Sequence, residues 1–296
     1  MECRLCPRQC GVDRAKRYGF CGAPDTVHVA RAALHFYEEP PISGTRGSGT
    51  VFFSGCSLRC VFCQNRAIRP SESGRALSAE ALASVFLALQ EQGAHNINLV
   101  TPTHYADRIA EALRLVKGEL RVPVVYNCGG YECVETLQML EGLVDVYLPD
   151  FKYVSPEMAE AYSAAADYAD HATAALAEMY RQTGAVSFDG EGMLTRGVTV
   201  RHLVLPGGRK DSVAVLDRIA ATVPVAGIRL SLMRQYTPDF CLDDAPQVLK
   251  RRVTSFEYES VMKHAIALGF EGYFQTREAV GTEYTPDFSA PILPEI

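Results

Sequence analysis

Six apolar runs of the β-strand type, each followed by a helical stretch, fill the chain from about residue 50 onward. The predicted strands are 50–54, 96–101, 123–127, 144–150, 199–205 and 229–235. The predicted helices are 78–92, 106–120, 132–140, 167–182, 211–222 and 255–268. Because parallel strands need helical crossovers, this alternation predicts an α/β fold, a parallel sheet with helices outside it. An open sheet and an incomplete barrel would both satisfy the pattern.

Polar residues follow or end each predicted strand. They are Gly55-Cys56, Thr101-Pro102-Thr103-His104, Asn127-Cys128, Asp150-Phe151-Lys152, Arg201-His202 and Gln235-Tyr236. In parallel sheets and barrels the carboxyl ends of the strands meet at one face, where ligands bind. A single polar end would be a turn or a cap, but six in register predict a site.

The charge and hydropathy of the chain argue against several classes of protein. Lys plus Arg number 29 against 35 Asp plus Glu, a net charge of −6, whereas nucleic-acid scaffolds are usually basic. No apolar run reaches the length of a membrane span, and the N-terminus has no apolar signal-peptide core. We therefore expect a cytoplasmic protein that binds neither nucleic acid nor membrane. Its first 17 residues are locally basic and could dock an acidic reductant protein.

Ten cysteines in a reducing compartment are poor candidates for disulfides, and seven of them fall into two tight groups. Cys56, Cys60 and Cys63 form a C-x3-C-x2-C motif directly after the first predicted strand. Three thiolates can hold three irons of a cubane cluster and leave the fourth iron open, whereas a ferredoxin supplies a fourth cysteine. A zinc site completed by a distant fourth ligand, or plain packing of buried thiols, are the alternatives.

Cys3, Cys6, Cys10 and Cys21 form the second group, C-x2-C-x3-C-x10-C, which is enough for a closed four-thiolate site. Thiolates suit both zinc and an iron–sulfur cluster, and the spacing does not separate the two. A zinc ion would clip a segment too short to fold alone, whereas a cluster would relay an electron inward or touch substrate. We favour a second [4Fe–4S] cluster, because a cell that loads one at Cys56, Cys60 and Cys63 could load another, and keep zinc as the alternative.

The three-cysteine motif, with aromatic Phe62 before its last cysteine, resembles the radical S-adenosylmethionine (SAM) superfamily. The wider sequence is similar to the uncharacterised homologues of pyruvate formate-lyase activating enzyme. The matching segments are CRLCPRQCGV (3–12), EEP (38–40), GSGT (47–50), VTPTHY (100–105), YLPDFKY (147–153), VRHLVLPG (200–207) and MRQY (233–236). The resemblance implies a partial (β/α)6 TIM-like barrel over 50–275, preceded by a cysteine-rich segment over 1–49 and followed by a tail over 276–296.

The resemblance also implies an activity. The open iron would bind SAM, and one electron from a flavodoxin or ferredoxin would cleave it to methionine and a 5′-deoxyadenosyl radical. The radical would abstract hydrogen from a substrate, which the resemblance to activating enzymes suggests is the glycine of a glycyl radical enzyme. Modification of a peptide or small molecule is the alternative. A non-catalytic iron–sulfur or zinc protein is the third reading, against which the missing fourth cysteine near 56–63 argues.

Activating enzymes usually carry a Gly-Gly-Glu motif after the second strand, where this chain has Thr101 and Thr103 as candidate SAM-binding residues. Asp150 and Lys152 match the family's D-x-K element and face the same side of an extended chain. The resemblance places Arg201 beside the SAM carboxylate or ribose, and a guanidinium suits a carboxylate. The further candidates for SAM binding are Phe62, Asn127 and Gln235.

Three residues are candidates for direct contact with the substrate. His104 could move protons or face the substrate, and Cys128 follows a strand end; Tyr236 is the third. With most strand-end groups assigned to SAM, few side chains remain to hold a small ligand. They are His104, Tyr105, Cys128, His202 and Tyr236. Few such contacts predict a large substrate, a polypeptide held mainly by the surface outside the barrel.

Overall fold

The computed structural model describes residues 2–276 together with Pro286 and Phe288, so most of the predicted tail over 276–296 lies outside the described residues. The strands are β1 Val27–His35, β2 Ser48–Phe53, β3 Arg75–Leu77, β4 Ile97–Val100, β5 Val124–Cys128, β6 Val146–Pro149, β7 Ser187–Phe188, β8 Leu194–Leu203, β9 Arg229–Met233 and β10 Gly272–Phe274. The helices are α1 Pro40–Ser43, α2 Ala79–Glu91, α3 Ala106–Val116, α4 Val134–Met139, α5 Pro156–Ser163, α6 Tyr168–Thr183, α7 Arg209–Thr222 and α8 Ser255–Ala267.

The strands form one sheet in the order β10-β9-β8-β6-β5-β4-β2-β1-β3, with β7 attached to β8. Every pair from β2 to β10 along this order is parallel, whereas β1 is antiparallel to both β2 and β3. The order ends in β10 on one side and β3 on the other, so the sheet does not close on itself within the described residues. The predicted α/β fold with a mostly parallel sheet is confirmed.

Helix α2 illustrates why the helical predictions succeed. Ser78 caps its first turn by accepting a hydrogen bond from the backbone N–H of Ala81 at 3.2 Å. Leu82, Phe86 and Leu89 lie on one face and are fully buried against the sheet. The signals that define this helix are all local, and packing against the sheet does not override them.

The short helix α1 covers the lower end of the barrel, by which we mean the end where the parallel strands begin. Side chains alternate along a strand, so Tyr126 and Tyr147 face the outer helices while Val125 and Val146 face inward. Ile42 of α1 is fully buried against Val125 and Val146. The chain reaches α1 from β1, because β1 runs antiparallel to β2 and therefore ends at the lower edge of the sheet.

The cysteine-rich segment packs directly on the barrel. Cys56 donates its backbone N–H to the carbonyl of Cys21 at 3.1 Å. Arg8 donates to the carbonyl of Ser57 at 2.9 Å, and its guanidinium lies 3.8 Å from the ring centroid of Phe20. These contacts hold the segment of the first cysteine group against the loop that carries the second.

Arg14 is one of the basic residues that were expected to form an exposed docking patch. Its side chain is only 5% exposed and pairs with Asp107 at 3.2 Å. Arg14 is therefore not available to a partner, whereas the side chain of Lys16 is 81% exposed. No helix in the described part of the chain is long and apolar enough to cross a membrane.

Candidate functional site

Three thiols of the loop after β2 face one space. Cys56, Cys60 and Cys63 line a common cavity of about 80 Å³. The loop begins at Gly55, whose φ of +92° lies in the left-handed region, and a Cβ there would come within 3.0 Å of the carbonyl of Cys21. Glycine at this position therefore lets the loop turn away from the strand and bring its thiols together.

The environment of these thiols suits a metal cluster. Burial, followed by the neighbouring Cys60, raises the pKa of Cys56 to about 12 and that of Cys63 to about 11. As free thiols, Cys56 and Cys63 keep their protons at neutral pH. A strongly cationic centre would stabilise their thiolates in this space. No fourth cysteine lines the 80 Å³ cavity, so a cubane held here would keep one iron without a protein thiolate.

A single metal ion would need a tighter arrangement. No group of three or more His, Cys, Asp or Glu side chains in the described ranges could hold one ion. A cubane binds each thiolate at a separate iron, so its cysteines lie farther apart. Cys56, Cys60 and Cys63 line one cavity without forming a single-ion group.

Cys60 has a hydroxyl partner deep in the fold. The Ser163 hydroxyl lies 3.0 Å from the Cys60 sulfur, and the Tyr153 hydroxyl lies 3.0 Å from that of Ser163. Ser163 and Tyr153 are both fully buried. Hydrogen bonds to ligand sulfurs stabilise the reduced state of iron–sulfur clusters, so this pair would tune a cluster at Cys60.

A larger cavity, of about 200 Å³, opens beside the same three thiols, and we call it the cysteine-side cavity. Most of the residues that the sequence proposed for SAM line it, together with one of the three substrate candidates. They are Phe62, Thr101, Asn127, Asp150, Lys152, Arg201 and Gln235, with Cys128. The strand ends therefore bring these residues together around one space.

An ionic network crosses this cavity. Asp150 pairs with Lys152 through one oxygen and with Arg201 through the other, the second contact being 3.1 Å long. Arg201 also donates to Asn127 at 2.6 Å and to Glu38 at 3.2 Å. Burial opposes the charge on Asp150, but the cations Lys152 and Arg201 hold the pKa of this carboxyl below its usual value.

The same burial opposes the charge of the two cations in this network. The attraction of the Asp150 carboxylate outweighs the effect of burial, so the pKa values of Lys152 and Arg201 are both raised. Arg201 donates hydrogen bonds to Asp150, Asn127 and Glu38, and it therefore fixes the positions of these side chains. It also lines the cavity itself.

Three predicted site residues do not line the cavity. His104 is buried, and its Nε2 lies 2.7 Å from the carbonyl of Ser54. Burial lowers the pKa of His104 to about 4, so the ring is neutral at pH 7. Thr103 is fully buried and donates to Glu132 at 2.6 Å, away from the position expected for SAM.

Tyr236 is the third. Its hydroxyl donates to the carbonyl of Leu249 at 2.6 Å, and its ring packs edge-on against Phe62 at 5.9 Å. Phe62 separates it from the cysteine-side cavity, so Tyr236 supports the cavity wall instead of touching its contents.

Cys128 lines the cavity, but its thiol is buried in the cavity wall and hydrogen-bonded there. Burial raises the pKa of Cys128 well above its usual value, and the thiol bonds to Glu132. Glu132 is also fully buried and accepts the Tyr126 hydroxyl at 3.0 Å. Burial raises the pKa of Glu132 to about 7 against these hydrogen bonds, so this carboxyl titrates near neutral pH. The sequence analysis missed Glu132 because it lies in the loop after β5, behind the strand end.

A second cavity, of about 180 Å³, lies toward the lower end of the barrel, and we call it the floor cavity. It adjoins the cysteine-side cavity, since Asn65, Asn127, Arg201 and Gln235 line both. Its other polar lining comes mainly from the chain after β1 and from β9 and β10. The polar residues that line the floor cavity alone are His35, Tyr37, Glu38, Glu39, Ser231, Tyr273 and Gln275.

The floor cavity changes the expectation about the substrate. The sequence analysis counted few side chains for holding a small ligand, but the floor cavity offers several that it did not consider. Conversely, Tyr105 and His202 are buried and line neither cavity. The premise of few polar contacts was therefore wrong, because β1 and the segment after it were not recognised as part of the barrel.

The four N-terminal cysteines lie within electrostatic reach of one another. Burial raises the pKa of Cys6 and Cys21, and the charge of Cys3 acts in the same direction on both. Cys10 likewise acts on Cys3 and Cys21. These four thiols therefore occupy one neighbourhood, next to the loop that carries Cys56.

The comparison with protein families identifies the class. The model of the Radical SAM superfamily matches residues 50–216, more than half of the chain. This chain belongs to the Radical SAM superfamily, and membership implies a [4Fe–4S] cluster and SAM.

A relative from Methanocaldococcus jannaschii, described as "Uncharacterized protein MJ0674", is 28% identical over 273 residues, covering 89% of this chain and 74% of that protein. Two solved structures of Streptococcus suis SuiB share the fold at 11% identity and a TM-score of 0.50, one bound to the precursor peptide SuiA and one to SAM. The match covers 75% of this chain and 46% and 48% of the SuiB chains, so this chain spans about half of their length.

Proposed function

We propose that this chain is an enzyme that cleaves SAM reductively and abstracts a hydrogen atom from a substrate. One observation carries the proposal: Cys56, Cys60 and Cys63 line the same cavity as the ionic network of Asp150, Lys152 and Arg201. When bound, the cluster and SAM supply a one-electron cleavage that yields methionine and a 5′-deoxyadenosyl radical.

The residues of the cavity would hold SAM in a fixed orientation. Lys152 and Arg201 bring positive charge to the site of the SAM carboxylate, and Asp150 keeps both cations in place. Asn127, Thr101 and Gln235 offer hydrogen bonds to its polar groups. Phe62 offers an apolar face to the same cavity.

For the substrate we favour a glycyl radical enzyme, on the resemblance to activating enzymes. The alternative is a peptide or small molecule, and a structural neighbour that binds a precursor peptide lends support to the peptide. The electron would come from a flavodoxin- or ferredoxin-like donor.

The N-terminal cysteines would hold a second [4Fe–4S] cluster, with zinc as the alternative. The proximity of the four thiols to the loop of Cys56 supports an electron relay at this place. Counting metals in the wild type and in a variant without these four cysteines tests it. A loss of about four irons per chain is expected; loss of one zinc would contradict the relay, and loss of neither would contradict any metal there.

The cleavage itself is tested with anaerobically reconstituted protein, dithionite and SAM. We expect 5′-deoxyadenosine and methionine in equal amounts, measured by mass spectrometry, and no product from the Cys60→Ala variant. Cys241→Ala is the matched control, because that thiol bonds to Tyr236 and lies outside both cavities. If wild-type protein with a full cluster formed no 5′-deoxyadenosine, the proposed activity would be wrong.

A further inference from the structure

The floor cavity is built with more negative than positive charge. Glu38, Glu39 and Arg201 are its charged lining residues. Arg201 forms ion pairs with Glu38 and with Asp150 of the neighbouring cavity. Burial, and then the charge of Arg31, lowers the pKa of His35 to about 4, so this ring adds no charge at pH 7. Arg201 also acts electrostatically on the second carboxylate but forms no ion pair with it, so that carboxylate shares a cation and has no cation contact of its own among the described residues.

That carboxylate is Glu39. The residue is only 9% exposed, and its Oε2 atom is buried without a hydrogen-bond partner in the described structure. Ser231 bonds to the carboxyl group, and no Lys or Arg of the described residues forms an ion pair with it. Burial raises the pKa of Glu39 against the charge of Arg201, so burial favours the protonated carboxyl and a bound cation would favour the carboxylate.

The rest of the cavity suits an alkyl cation. Phe52, Tyr37 and Tyr273 line it, and aromatic faces attract ammonium groups. Phe288 packs edge-on against Phe52 at 5.5 Å, and Pro286 also lines the cavity. A volume of about 180 Å³ has room for an amino-acid-sized group next to the place assigned to SAM.

We propose that the floor cavity is the substrate compartment and that Glu39 binds a protonated primary amine of the substrate. This inference rests on the proposed function, since it places the substrate beside SAM. It favours the alternative substrates named there, a peptide or a small molecule, because the internal glycine of a glycyl radical enzyme carries no primary amine. Glu39 is the positioning residue: its carboxylate accepts hydrogen bonds from the ammonium group and supplies the missing counter-charge, while Glu38 remains paired with Arg201.

The amine can belong to a small metabolite or to a polypeptide, at its N-terminus. Both offer the same ammonium group, so the structure assigns the chemistry and an experiment must separate the sources. Glu39 does not line the cysteine-side cavity, so it can be changed without removing a SAM contact.

The test measures binding of butylammonium to the cluster-loaded protein by calorimetry at pH 7, with 1-butanol as the uncharged analogue. We expect butylammonium to bind at least tenfold more tightly than 1-butanol and Glu39→Gln to lose that preference, because a charge-assisted hydrogen bond contributes about 1.5–3 kcal/mol. Glu39→Asp should keep part of the preference. Glu271→Gln, at an exposed glutamate that pairs with Arg229 outside the cavity, should keep all of it.

A hexapeptide with a free N-terminus and its N-acetylated form then separate the sources. Displacement of butylammonium by the free peptide alone points to a polypeptide, and failure of both peptides to displace it points to a small amine. Equal binding of butylammonium and 1-butanol, or a preference unchanged in Glu39→Gln, would overturn the proposal.

The spectrum of the cluster with SAM is recorded on the same samples. It distinguishes a failure of the substrate proposal from a failure of the proposed SAM-cleaving function. If Glu39→Gln abolished the SAM-induced change, Glu39 would serve SAM's own ammonium group and the substrate proposal would be wrong. If wild-type protein showed no SAM-induced change, the proposed function would fail, whatever the calorimetry gave.

Discussion

The buried carboxyl of Glu132 makes a stability prediction that does not depend on the cluster. Burial raises its pKa from an ordinary 4.5 to about 7, against hydrogen bonds from Thr103, Tyr126 and Cys128. The folded protein therefore holds a proton that the unfolded chain releases above pH 4.5. Its contribution to stability is fully present below pH 4.5 and is lost as the pH rises to about 7.

The magnitude follows from the two pKa values. A difference of about 2.5 pH units corresponds to about 3 kcal/mol, at about 1.4 kcal/mol per unit. Glu132→Gln keeps the shape of the side chain and cannot ionise, so it should not lose this stability. Between pH 4.5 and 7.5 its free energy of unfolding should rise by about 3 kcal/mol relative to wild type.

Urea unfolding of reduced, cluster-free protein across this pH range measures the difference. Glu135→Gln, at an exposed position of the adjacent helix α4, is the control and should follow wild type at every pH. A constant difference between Glu132→Gln and wild type from pH 4.5 to 7.5 would refute the reasoning, since the buried carboxyl would then titrate as it does in the unfolded chain.

Two further predictions concern the cysteine-side cavity. Ser163→Ala removes the hydroxyl beside Cys60 and should lower the midpoint potential of the cluster by roughly 40 mV for about 1 kcal/mol of lost stabilisation. Tyr153→Phe leaves that hydroxyl in place, and an equal shift in both variants, measured by redox titration, would contradict this role. Lys152→Met should weaken SAM binding about tenfold or more in an equilibrium titration. The exposed Lys210→Met is its control, and equal affinities in the two variants would exclude Lys152 from the SAM site.

The sequence predicted the parts of the fold that depend on local signals. The β–α alternation and the cap and apolar face of α2 are of this kind, and the strand ends Asn127, Asp150 and Arg201 reached one cavity because parallel strands share an edge. β1 was missed because it is antiparallel to both of its partners, β2 and β3, and so stands outside the β–α alternation. Three-residue β10 carries too little sequence to be recognised.

The site predictions that the structure does not support share a cause. Position at a strand end does not fix where a side chain points, and His104 and Tyr236 turn to backbone carbonyls of neighbouring loops. Glu38 and Glu39 gave no strand-end signal, because they follow an antiparallel strand at the opposite edge of the sheet. They entered the sequence analysis only as part of a resemblance. Their position in the floor cavity depends on how distant strands assemble, which no local sequence pattern encodes.

The central claim is that SAM binds an iron that no cysteine of this chain holds. Electron paramagnetic resonance of the dithionite-reduced, anaerobically reconstituted protein tests it most directly, with spectra recorded before and after SAM is added. The account predicts a reduced [4Fe–4S] signal whose shape changes with SAM in wild type. This SAM-responsive signal should be absent when Cys56, Cys60 or Cys63 is replaced by alanine, which leaves only the signal of the N-terminal cluster. A full cluster signal that SAM leaves unchanged would contradict it.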